Sequence, residues 1–222
     1  MIYEVELTPF RVEPCSGEPC YAVRDMVLIK SKEGIDIGRI LSMTDETENY
    51  VYGEVLRRVT NKDLEKQNEL REYEEFCLLE LKRAIEEFKF PMKAVYAHCQ
   101  FDEERVIFYF TAQKRLEFRK LHRFVSQKLN KRVVIKQIGS RDYSKLFGGI
   151  GPCGRNLCCR TFLAELKSIS LRMARDQKLY VSPSKISGLC GRLLCCLNFE
   201  EDFYTQFSED AAAQEADENA PS

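Results

Sequence analysis

Between Lys93 and Ile138 the chain reads KAVYAHCQFDEERVIFYFTAQKRLEFRKLHRFVSQKLNKRVVIKQI, and this stretch decides the fold class. KAVYAH and RVIFYFTA are short runs rich in β-branched and aromatic residues, bounded by polar turns, which is the composition of strands. From about Leu116 to Leu129 the period changes: Phe118, Leu121, Val125 and Leu129 fall on one helical face, ready to lie on a sheet. RVVIKQI then returns to strand. The result is a β-β-α-β unit and an α+β protein.

Upstream, a helical stretch begins at Asn61, with Leu70, Tyr73, Cys77, Leu81, Ala84 and Phe88 at helical spacing, and ends before Pro91. Cys77 is on this reading a core residue. Up to about Arg58 the chain consists of short strands, IYEVEL, AVRDMVLIKS, GIDIGRILSM and YVYGEVLRR, with Gly34, Gly38 and Gly53 at turns or bulges. They predict a small curved β-sheet or barrel. From Ser140 onward comes a cysteine-rich helical and loop region. The expected organisation is therefore a β-rich region over 1–60, the long helix plus β-β-α-β unit over 61–139, a cluster-binding region over 140–207, and a disordered acidic tail over 208–222.

The composition limits the function. With 222 residues, 44% hydrophobic and 31% charged, the chain has enough apolar surface for one good core or two small ones. No run approaches the roughly 18 apolar residues of a membrane helix, and the N-terminus has no basic segment followed by an apolar one, so a soluble, cytoplasmic protein without membrane insertion is expected. Ten cysteines in a reducing compartment point to metal binding or thiol chemistry rather than disulfides. The net charge of −1 conceals a basic body: the first 199 residues carry 34 basic against 27 acidic side chains, and the last 23 carry eight acids and no Lys or Arg.

The cysteines are not scattered. GPCGRNLCCR, residues 151–160, recurs as GLCGRLLCCL, residues 188–197, so that Cys153, Cys158 and Cys159 reappear 37 positions later as Cys190, Cys195 and Cys196. Glycine lets backbone amides approach a negative group, and the following arginine adds compensating charge, which suits thiolates holding a metal or cluster. Buried cysteines that merely pack are the simpler alternative, but they do not require a repeated register. The chain has no CxxC, the usual zinc knuckle, whereas CxxxxC spacing is familiar from iron–sulfur proteins. Vicinal side chains point apart, so Cys158 and Cys159 are not expected to serve one mononuclear ion together. Cys15 and Cys20 form a further CxxxxC pair and a candidate additional metal site.

No catalytic constellation is present. Cys99 beside His98 is the one local Cys/His pair, and no nucleophile elbow, phosphate loop or zinc-protease motif accompanies it. A stronger lead is basic: nine Lys or Arg against the single acid Glu117 between Lys114 and Lys136. Arg115, Arg119, His122 and Arg123 are expected to share the outward helix face, and Arg115, Arg119, Lys120, Arg123, Lys128, Lys131 and Arg132 form a candidate surface for RNA or an acidic partner.

KLFGGIGPCGRNLCCRTF followed by MARDQ and SPSKISGLCGRLLCCLNFE, with RVIFYFTA and EFRKL before them, resembles the RicT (YaaT-like) family of bacterial proteins, which contain the polymerase-suppressor C-terminal domain. The resemblance runs from about Val23 to Tyr204. It implies a noncatalytic subunit that joins small helical RicA-like and RicF-like proteins, binds an iron–sulfur cluster (4Fe-4S in type) through Cys153, Cys158, Cys159, Cys190, Cys195 and Cys196, and modulates messenger RNA processing by ribonuclease Y. Two alternatives stand beside it: a zinc-stabilised nucleic-acid-binding module and a thiol redox protein using the vicinal cysteines.

Overall fold

The structure, a computed structural model, describes residues 1–44, 50–114, 116–163, 168–179 and 182–206. Arg115 and the predicted acidic tail lie outside the described residues. The chain divides into two compact units, Met1–Ile138 and Gly139–Ser222.

The first unit is α+β as the periodicities require. Its N-terminal strands, β1 (Ile2–Thr8), β2 (Arg11–Ser16), β3 (Met26–Ser31), β4 (Gly34–Thr44) and β5 (Gly53–Arg58), close into a barrel in the order β1-β2-β5-β3-β4. Alternation in IYEVELT turns Tyr3, Val5 and Leu7 inward, where they meet Cys15, Val27, Ile29, Ile40 and Val55. Closure brings strands very near one another at Gly38, where a Cβ would stand 2.3 Å from Val5 Cγ1. Strand β2 is absent from the sequence expectation. Pro14 lacks only a donor, and its carbonyl still accepts from Tyr52 N–H at 2.8 Å.

Thr60 caps α1 (Asn61–Glu87): its N–H donates to Asp63 Oδ2 at 2.8 Å, and Arg57 Nη2 donates to Asp63 Oδ1 at 3.0 Å. Strands β6 (Lys93–Cys99), β7 (Arg105–Thr111) and β8 (Arg132–Gln137) form a sheet in that order, β6–β7 antiparallel and β7–β8 parallel, with α2 (Arg119–Leu129) as the crossover. Helix α2 starts three residues later than the apolar period suggests, with Phe118 as its N-cap packed edge-on against Phe110. Leu121, Val125 and Leu129 of α2 and Leu70, Cys77, Leu81 and Ala84 of α1 bury one sheet face, against Val106, Phe108 and Phe110. Tyr109 on the other face meets the barrel, its hydroxyl 3.2 Å from Thr8 Oγ1 and its ring 4.8 Å from that of Phe10. Strand β7 is therefore covered on both sides, which explains its unbroken apolar run.

The second unit contains α3 (Ser140–Phe147), α4 (Cys158–Thr161), α5 (Leu171–Asp176), α6 (Pro183–Ile186) and α7 (Cys196–Phe199). Its small core is Met173, Ala174, Ile186 and Leu197, and the buried Gln177 Nε2 donates to Leu197 O at 2.6 Å. Backbone hydrogen bonding adds to the ordering of its loops.

Candidate metal centre

That hydrogen bonding is the same in both cysteine loops. In the first, Gly151 N–H donates to Arg155 O (2.8 Å), Gly154 N–H to Gly151 O (2.9 Å) and Leu157 N–H to Gly149 O (3.2 Å). In the second, each donor and acceptor moves on by 37: Gly188 to Arg192 (2.8 Å), Gly191 to Gly188 (2.9 Å) and Leu194 to Ile186 (2.9 Å). The β-bridges Ile150–Asn156 and Ser187–Leu193 repeat in the same register. Gly154 and Gly191 adopt φ of +78° and +73° with nothing within 4 Å of a built Cβ, so glycine is needed there for its left-handed backbone and not for space. Each doublet then enters a short helix, α4 or α7. The equivalent rings Phe162 and Phe199 meet edge to face with centroids 5.0 Å apart.

All six motif cysteines line one cavity of about 100 Å³. Both members of each doublet are among its lining residues. The second cysteine of each doublet lies within charge-interaction range of the first cysteine of the other loop, Cys159 with Cys190 and Cys196 with Cys153. Among the described residues the remaining lining is glycine, proline, asparagine and leucine, without a carboxylate or imidazole. Among the described residues no group of three or more His, Cys, Asp or Glu side chains is drawn together tightly enough to hold a single ion. Burial pushes the thiols of Cys159, Cys195 and Cys196 upward. Arg141 opposes that at Cys159 and Cys195, and Lys145 at Cys159. Arg141 Nη2 also donates to Leu193 O, at 2.9 Å, within the second loop. Sequence reasoning missed both cations; the signal was their i, i+4 spacing in SRDYSKLF.

The other predicted site residues go elsewhere. Cys15 is sealed in the barrel core, where burial drives its thiol up to about 12, whereas Cys20 is exposed, so the pair faces two environments. Cys99 is buried against the α1 side of the sheet, also pushed up to about 12 by burial. His98 is clamped between two carboxylates that its sequence context does not reveal: Nε2 stands 2.8 Å from Asp36 Oδ2 of β4, and Nδ1 stands 3.1 Å from Glu74 Oε1 of α1. Burial alone would lower its pKa; the hydrogen bonds and charges of the two acids raise it to about 10.

The basic stretch is only partly a surface. Arg119, Lys120 and Arg123 are exposed on α2. His122 is half-buried, its Nε2 2.9 Å from Val133 O on β8, and it lines a surface cleft together with Arg119 and Arg123. Lys128 is paired with the buried Glu80, and Lys131 lies 3.5 Å from Glu103 and over the Tyr73 ring. Arg132 lines a cleft together with Glu33, Glu103 and Glu104.

Among the described residues no helix is long and apolar enough to cross a membrane. Residues 53–138 match the PSP1 C-terminal conserved region, which spans β5 to β8, and residues 168–211 match the third domain of PSP1-like proteins, which contains the second cysteine loop. The chain is 38% identical over 186 residues to the stage 0 sporulation protein YaaT of Bacillus subtilis (strain 168), an alignment covering 80% of this chain and 66% of that protein. No solved structure matches. With both PSP1 regions present and 38% identity over 80% of the chain, the chain belongs to the YaaT-like family of PSP1-domain proteins.

Proposed function

We propose that the chain is a noncatalytic regulatory subunit that holds an iron–sulfur cluster, 4Fe-4S in type, between its two cysteine loops and adapts an RNA-processing nuclease. The observation that carries this reading is that six cysteines and, among the described residues, no carboxylate or imidazole line one cavity. Cys153, Cys158, Cys159, Cys190, Cys195 and Cys196 would supply the thiolates. A cluster bound there would bring charge and redox sensitivity to iron and oxygen. Because burial favours the neutral thiols of Cys159, Cys195 and Cys196, loading releases protons, and those thiols are ill suited to a redox enzyme, which needs a low-pKa thiolate.

Partner docking fits the same region. Ile150, Phe162, Leu189 and Phe199 around the loops are all more than half exposed, an apolar rim suited to protein contact. The RicA-like and RicF-like proteins and ribonuclease Y, which the sequence resemblance implies, are the partners we assign to it. A relative named for stage 0 of sporulation suits a regulatory role. The exposed Arg119, Lys120 and Arg123 offer a second surface, for RNA or an acidic segment.

The test is strictly anaerobic purification of the full chain with iron, acid-labile sulfide and zinc analysis. Iron and sulfide are expected together, and Cys153→Ser or Cys190→Ser should lose both while the barrel unit stays folded. Stoichiometric zinc without sulfide would replace the cluster by a zinc-stabilised module.

A further inference from the structure

Arg141 sits on the helix that leads into the first cysteine loop, yet it serves the second, through the hydrogen bond from Nη2 to the carbonyl of Leu193. Its Nε is fully shielded from solvent and has no hydrogen-bond partner. A guanidinium donor buried without an acceptor is costly, because it loses water and gains nothing in exchange. The side chain is not idle packing. The Nη2 bond fixes the plane of the guanidinium, and Arg141 lies within charge-interaction range of Cys159 and Cys195, one cysteine from each doublet. Lys145, one helical turn on, adds a second positive charge beside Cys159.

A vacant, buried, cationic N–H held by a bond to Leu193, itself a lining residue of the cysteine cavity, has little to bind while the thiols are neutral. Next to thiolates that carry a group of net negative charge, it has an acceptor and a charge partner at once. Resting on the cluster reading above, we propose that Arg141 is the hydrogen-bond donor and counter-charge of the group held by the six thiols. Hydrogen bonds to sulfur and nearby positive charge both stabilise the more reduced, more negative state, so Arg141 raises the reduction potential of whatever the loops hold.

The experiment uses the full chain loaded anaerobically with iron and sulfide, and reads iron and sulfide content together with the midpoint potential from a spectroscopic redox titration. Arg141→Gln removes the charge, and Arg141→Lys keeps the charge but not the planar fork. The expected order of potentials is wild type highest, R141K lower and R141Q lowest, with iron content retained in R141K. Equal potentials in all three would overturn the assignment of Arg141 while leaving the cluster in place. If R141Q fails to hold iron, R141K decides: a potential below wild type upholds the donor, and one equal to wild type refutes it. Wild-type chain that takes up no iron and sulfide overturns the cluster reading itself, a result separable from either outcome at Arg141.

Discussion

Replacing His98 with Gln should destabilise the first unit by an amount that shrinks as pH rises. The imidazole of His98 bridges Asp36 and Glu74, and its pKa stands at about 10 against an ordinary 6.5. Removing the cation leaves two carboxylates facing each other in a site shielded from water. Breaking a buried charge pair in this way costs about 3–5 kcal/mol. The pKa shift gives an independent upper figure: each unit is worth about 1.4 kcal/mol, so the rise amounts to about 5 kcal/mol. The sign follows from proton binding. Below pH 6.5 both folded and unfolded chains hold the proton, and the stabilisation is complete. Between 6.5 and 10 only the folded chain holds it, so stability falls by about 1.4 kcal/mol per pH unit, and above 10 the contribution is gone. Urea unfolding of wild type and H98Q at pH 6.0, 7.5 and 9.0, followed by the tyrosine signal of the first unit, measures the difference with other titrations cancelled. A gap that stays constant across this range, or widens, would refute a charged His98.

Ala in place of Gly154 or of Gly191 should each cost about 1–2 kcal/mol of loop stability through left-handed backbone strain alone, since the space is open at both. The equivalence of the loops further predicts that the two variants lower iron loading by similar factors, a point settled by parallel iron analysis. Arg119→Glu, Lys120→Glu and Arg123→Glu together should abolish binding of RNA or an acidic partner in a gel-shift or pull-down assay without changing iron content. Direct RNA contact adds a steep loss of affinity with salt, and a flat salt response assigns the face to a protein.

Local features of the chain were legible in the sequence because they depend on near neighbours. The change of period across residues 93–138 is a property of two strands, one helix and a third strand, each set by near neighbours, and it yields the β-β-α-β unit directly. The 37-residue repeat is equally local: each loop closes through hydrogen bonds between residues no more than eight apart, so identical spacing gives identical conformation twice. The sequence alone therefore pointed to two copies of one ligand loop. Tertiary structure decided what those copies face. One cavity between them, and the arrival of Arg141 from α3, depend on chain segments dozens of residues apart being packed together. The same holds for His98, whose partners are 62 and 24 residues away, and for Lys128 and Lys131, which counted as free charge in the sequence and are engaged by Glu80 and Glu103 in the fold. Charge along a chain is fixed by composition, but the distance between opposite charges is fixed by how the core packs, and Coulomb energy depends on that distance.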